Sequence, residues 1–324
     1  MVSESEVDSQ ASTEDEEFAF PASFAQRRLW YLDQIESGTA VYNIPQAFRL
    51  KGRLDADVME KSLAEIVARH ESLRTTFEAE EGTPLQIVKA KLPLSLERID
   101  LRDRGEGAFA EAEALANERA RRGFSLSEGP LVTASLFQLG DEDHVLYLNV
   151  HHIICDGWSL ALLFAELSKL YAAFVEGKAS PLPDQEIQYA DYAIWQGETF
   201  QGEELDKELG FWKDYLGGEL PQLSLPFDFN RPAEASLKGR LVRFGLSKDE
   251  AEAVKALAKE EKASLFMTLM TAFATFLARI TGERDVLIGS PIANRDREEI
   301  RDAIGFYTNT VVFRNDVSGT PSFR

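Results

Sequence analysis

Apolar and polar positions alternate along the chain in two periods, and the changes of period mark out its elements. YNIPQAFRLKG has strand character and ends at Gly52, whereas FPASFAQRRLWYLDQIESG before it reads as a loop entering a short amphipathic helix. From Leu54 the period is helical: Met59, Leu63, Ile66, Val67, His70 and Leu73 recur at steps of three and four on one stripe. RTTFEAEEGTPLQIV predicts a hairpin turning at Glu81 and Gly82. Residues 107–122 read as a helix, and PLVTASLFQL and HVLYLNV as two strands joined by GDED. A further helix from Trp158 to Val175 carries Leu160, Leu163, Phe164, Leu167, Leu170 and Phe174 on one side. EGKASPLPDQE, at 176–186, has the small, polar and proline content of a linker. GRLVRFGLS then predicts a strand, and KDEAEAVKALAKEE a helix opened by Ser247 and Glu250 at capping-box spacing. An apolar helix over 264–280 and the strand DVLIGSP follow, so strand, helix and strand recur in both halves.

Length and composition narrow the class. The 324 residues suffice for one large domain or two ordinary ones, and 44% hydrophobic content is enough to build a core. The formal charge of −20, with no basic stripe, argues against nucleic-acid binding. Cys155 is the single cysteine, which excludes an internal disulfide and fits a reducing cytoplasm. Residues 1–17 carry seven acids and no base, the composition of a flexible leader or linker and not of a signal peptide. No stretch approaches the ~18 to 20 apolar residues of a membrane span.

The chemistry concentrates in HHIICDGWS, residues 151–159, of a chain with only four histidines. Along the strand HVLYLNVHH, alternation places Leu146, Leu148, Val150 and His152 on one face and Tyr147, Asn149 and His151 on the other. His152 is therefore expected to be partly desolvated and neutral, able to accept a proton. Gly157 allows a sharp turn and close approach to its amide, and the helix after it offers unpaired N–H groups to a developing oxyanion. Asp156 also reads as a simple helix N-cap. Adjacent strand residues diverge and only His70 and His144 remain as further histidines, so a metal site is disfavoured.

With these residues in view, the chain resembles the condensation domains of nonribosomal peptide synthetases, whose hallmark is HHxxxDG. SFAQRRLWYL (23–32), RHESLRTTF (69–77), HHIICDGWS (151–159), YADYAIW (189–195) and IGFYTNTVVFR (304–314) resemble five motifs in family order. The later motifs are missing, so the resemblance implies a C-terminally truncated copy. It implies an α/β fold of two chloramphenicol-acetyltransferase-like lobes in a V, with the second lobe incomplete. The expected division is a leader over 1–17, an N-terminal lobe over 18–176, and an inter-lobe segment with a partial second lobe over 177–324.

The resemblance further implies an acyltransferase that joins a carrier-bound acyl thioester to the α-amine of a second carrier-bound aminoacyl group. An ester- or amide-forming acyltransferase acting on a free acceptor, and an inactive carrier-docking fragment, are the alternatives. His152 and Gly157 are the candidate catalytic positions, and His151 is a supporting hydrogen-bonding residue. Asp156 is expected to pair with an arginine of the second motif, Arg74 first and Arg69 second. The domain would bind no cofactor or metal itself, its substrates arriving on phosphopantetheine arms. Its partners would be upstream and downstream carrier domains and an adenylation domain, for a monomeric, cytoplasmic module that touches neither nucleic acid nor membrane. Tyr189, Tyr192, Trp195, Trp158 and Ser159 read as packing or capping residues.

Overall fold

In a computed structural model the described residues are 16–230, 232–233, 239, 241–319 and 322–323. The expected leader thus falls outside the described residues, except at its end. There Glu17–Pro21 forms β1 instead of a loop, because its backbone pairs antiparallel with a later strand.

In chain order there follow α1 (Phe24–Ile35), β2 (Asn43–Lys51), α2 (Ala56–Arg69), β3 (Thr75–Glu80), β4 (Thr83–Lys89), β5 (Leu96–Asp100), α3 (Ala108–Ala120), β6 (Val132–Gly140) and β7 (Asp143–His151). α4 (Gly157–Val175), α5 (Tyr189–Thr199), α6 (Gly202–Tyr215), α7 (Lys248–Glu260), α8 (Leu265–Thr281), β8 (Asp285–Ile292) and β9 (Asn309–Asp316) complete the chain. The mixed α/β class agrees with the expectation.

The chain divides into two compact units. The first holds residues up to Gln201 together with Ala293–Thr308; the second holds Gly202–Ile292 and Asn309–Arg324. This division departs from the expected break at 176/177: α5 belongs with the first unit, and so does the segment that links β8 to β9.

In the first unit, β1, β4 and β3 form one sheet, and β2, β7, β6 and β5 form another. The hairpin predicted at Glu81 and Gly82 is present, and both residues take the positive φ that a tight turn between twisted strands requires. α2 packs its stripe of Met59, Leu63, Ile66 and Val67 into a core shared with Leu160, Leu163, Leu167 and Leu170 of α4. α4 is, against expectation, long and apolar enough to cross a membrane by length and composition. Its burial in this core gives the apolar side a different explanation. α3 covers the opposite face of the second sheet, over Val145 and Tyr147.

In the second unit, β8 and β9 pair antiparallel, and the Ser247–Glu250 capping box opens α7 as predicted. The strand predicted over 239–247 is absent from the described residues 241–247, where Leu241, Val242 and Phe244 stand exposed. Apolar content alone makes no strand without a neighbour to receive its hydrogen bonds.

Candidate active site

β7 ends at His151, one residue earlier than the alternation suggests. His152 starts a short 3-10 turn, His152–Ile154, that leads through Cys155 and Asp156 into α4. The partial desolvation expected of His152 is present, and the deeper burial belongs to its neighbour on the other strand face. His151 is the buried ring, while His152 is half-buried. Burial, and secondarily the charge of His152, push the His151 imidazole down to about 4. Its Nδ1 accepts from the Ile153 amide at 3.2 Å, so the neutral ring carries its proton on Nε2 and braces the turn. The His152 amide donates to the Tyr42 carbonyl at 2.8 Å, and its ring lies edge-on to Phe306, 4.8 Å between centroids. His152 Nδ1 is buried and has no hydrogen-bond partner among the described residues.

Asp156 is 0% exposed, yet every direction around its carboxylate is occupied. Oδ1 accepts from the Ser159 amide at 2.8 Å, which is the N-cap of α4 read from the sequence. Oδ2 accepts from the amides of Tyr307 and Thr308 at 3.0 and 3.2 Å and from the Thr308 hydroxyl at 3.2 Å. The cation facing it is Arg295, whose Nη2 stands 3.5 Å from Oδ1.

This corrects the expected pairing with Arg74 or Arg69. Arg74 ends the 3-10 turn before β3 and donates to the backbone of that strand's own partner, at Lys89, while facing Glu71 at 3.4 Å. Arg69 ends α2 and meets Glu166 of α4 at 3.3 Å, where Glu166 also meets His70 at 2.8 Å. Glu166 lies ten residues beyond Asp156 on the same helix, about 15 Å away along its axis, so Arg69 is out of reach.

Arg295 gathers the segment around itself. Its Nη1 donates to the carbonyls of Ile300, Arg301 and Ala303 at 2.6, 3.3 and 2.8 Å, and its guanidinium lies 4.0 Å from the Tyr307 ring centre. Nη2 donates to the Ser159 hydroxyl at 2.7 Å; that hydroxyl donates to the Gly305 carbonyl and accepts from the Gly305 amide. Tyr189 OH donates to the Phe306 carbonyl at 2.6 Å, and Trp158 Nε1 to the Arg301 carbonyl at 3.0 Å. A Cβ at Gly305 would fall 2.0 Å from the Tyr189 ring, so only glycine fits there.

Sequence reasoning missed Arg295, Gly305 and the bonding role of Ser159. The fifth motif pointed to the region, but an arginine in a loop carries no period that would select it. Gly157, by contrast, opens α4 exposed, and a Cβ there would meet nothing within 4 Å among the described residues. Asn309 starts β9 in the second unit, outside this cluster.

Two consequences are measurable. Asp156→Ala strands a buried guanidinium and is expected to cost about 3 to 5 kcal/mol in a thermal or denaturant melt. Arg74→Ala, which leaves the Asp156 pair whole, is expected to leave the Asp156 effect unchanged in the double variant. The depressed pKa of His151 gives stability that is present in full above about pH 6.5 and is lost as the pH falls through about 4. The size is about 3 kcal/mol, read as the difference in pH-dependent stability between wild type and His151→Gln.

Known proteins share this arrangement of elements. A family model described as Condensation domain matches residues 16–324. The chain is 48% identical over 306 residues to a linear gramicidin synthase of Brevibacillus parabrevis, covering 94% of this chain and 6% of that one. It spans between 4% and 6% of the three linear gramicidin synthase polypeptides it matches. The crystal structure of the first condensation domain of the CDA synthetase superposes with a TM-score of 0.78 at 25% identity, over 94% of this chain and 72% of that one. SgcC5 of Streptomyces globisporus, solved with a naphthyl ethanediol and sucrose, superposes with a TM-score of 0.72 at 30% identity, over 92% of this chain and 69% of that one. The chain belongs to the condensation-domain family.

Proposed function

We propose that this chain forms amide bonds in nonribosomal peptide synthesis, joining an upstream carrier-bound acyl or peptidyl thioester to the α-amine of a downstream carrier-bound aminoacyl group. The observation that supports it best is the half-buried His152, held between a braced turn and a fully occupied Asp156. The chemistry needs one C–N bond made and one C–S bond broken. Nitrogen gives up a proton and the departing sulfur takes one up.

His152 serves this reaction by holding the amine and accepting its proton as charge develops during attack. A free α-amine has a pKa near 7.7 to 8.0, so about a tenth is already neutral near pH 7, and prior deprotonation is worth only about 1 to 1.4 kcal/mol. No carboxylate partners His152 Nδ1 among the described residues, which supports positioning over strong-base catalysis. The amides at the first two positions of α4, Gly157 and Trp158, have no carbonyl one helical turn back to receive them. They suit the oxyanion of the tetrahedral adduct, and the absent side chain at Gly157 leaves that approach open. Asp156, His151 and Arg295 act as supports, and Arg74 and Arg69 lie outside this cluster.

The substrates would come on phosphopantetheine arms of carrier domains, within a synthetase that also holds an adenylation domain. The first-motif stretch and YNIP favour an L-configured donor. The diol bound by SgcC5 favours a second reading, in which a small free acceptor receives the acyl group.

One experiment tests both readings. Two carrier proteins, one loaded with a donor thioester and one with an aminoacyl group, are mixed with this chain, and product is followed by mass spectrometry. Dipeptide on the downstream carrier is expected, falling about a hundredfold in His152→Ala with an unchanged melting curve. Equal turnover of free amines or alcohols would establish the second reading, and a rate indifferent to His152 would overturn both.

A further inference from the structure

The face of β7 that packs under α3 presents Tyr147, Asn149 and His151 in succession, and all three are at least nine-tenths buried. An interior face of this kind is normally apolar or fully hydrogen-bonded. Here Tyr147 OH and Asn149 Oδ1 have no partner among the described residues. Within the same set, the one hydrogen bond of the His151 ring is the one its Nδ1 accepts. Asn43 stands directly opposite His151 in the β2–β7 register. Its Nδ2 donates to the carbonyls of Ala120 and Arg122 at the end of α3, at 2.9 and 2.8 Å, while its Oδ1 is buried and unpartnered among the described residues. Four residues along this stretch of the β2–β7 ladder thus offer donors and acceptors unmet by any described side chain.

Leaving several buried polar groups dry would cost about 1 to 3 kcal/mol each, too much for a marginally stable fold to carry unrelieved. Of the four, Tyr147 also lines a groove of about 390 Å³ between β2 and α3, together with Gln46, Asn117 and Ala120.

We infer that Asn43, Tyr147, Asn149 and His151 wall a polar chamber beneath α3 that holds ordered water. This water, by accepting from Nε2–H of His151, keeps Nδ1 of that ring turned to the Ile153 amide. Asn149 is then a positioning residue, acting through His151 on the turn that aims His152. The His151 ring also meets Tyr42 and Phe124 edge-on, and the titratable group it feels is His152. The inference deepens the functional reading above, but the chamber itself is read without any activity.

The test is nitrogen-15 NMR of histidine-labelled chain. Wild type is expected to hold His151 in the single Nε2–H tautomer at neutral pH, with magnetisation exchanging between that ring and water. Asn149→Asp, which places a carboxylate in the chamber, is expected to raise the His151 titration midpoint by about one pH unit. Asn149→Leu is expected to mix the tautomers and slow dipeptide formation about tenfold, with Asn149→Ser restoring both. Should these variants fail to fold, the wild-type water contact and a Tyr147→Phe melting curve decide. A wet chamber predicts no gain in melting temperature on removing the hydroxyl; a dry one predicts a gain. Absence of water contact at His151, or a tautomer and titration indifferent to residue 149, would overturn the chamber. A changed tautomer with an unchanged rate would leave the chamber standing but remove the role of Asn149 in positioning His152.

Discussion

A carboxylate with no exposed surface has to be matched by charge and by hydrogen bonds, and Asp156 is matched by groups from the far end of the first unit's chain. Arg295 supplies the cation, and the backbone of Tyr307 and Thr308 supplies the donors. Neither ion could be buried alone, because each would forfeit its hydration without compensation. The pair therefore acts as a condition on the fold. The segment over 293–308 must lie against the start of α4, or both charges are stranded. Ser159 reinforces the condition by joining Arg295 to both backbone groups of Gly305.

The turn that carries the candidate chemistry inherits its geometry from this arrangement. His151 braces it on the strand side through the Ile153 amide, and Asp156 caps the helix on the other. Phe306, delivered by the same segment, lies against the His152 ring. Three residues of HHxxxDG thus have unequal duties. One is buried and braces, one is buried and binds the chain together, and one is left partly open. An imidazole held by packing, with no carboxylate on its inner nitrogen among the described residues, is suited to orienting a nucleophile whose prior deprotonation costs little, more than to generating one.

Much of this was legible in the sequence wherever a period or a local rule applied. The α2 stripe, the hairpin at Glu81 and Gly82, the α7 capping box and the strand leading to the histidines all follow from spacing. So does Asp156 as an N-cap, a relation confined to three neighbouring residues. What failed were inferences that extended a period past its end or joined distant residues by likeness. Alternation continued the strand through His152, but the strand stops at His151 and His152 begins a 3-10 turn, half-buried beside a more deeply buried His151. Arg74 lay near a suggestive apolar stripe, yet its side chain serves its own strand pair; Arg295 sat in a loop with no pattern around it. β1 is five residues long and owes its existence to β4, a partner invisible from EFAFP alone.

The most direct test of the Asp156 constraint is residue-resolved hydrogen exchange of the Tyr307 and Thr308 amides. If both donate to a buried carboxylate, they should be protected to the level of the β7 core amides, although they belong to neither a helix nor a strand. Exchange at the rate of an open loop would mean that the segment is not held by Asp156, and the account of the site would be wrong.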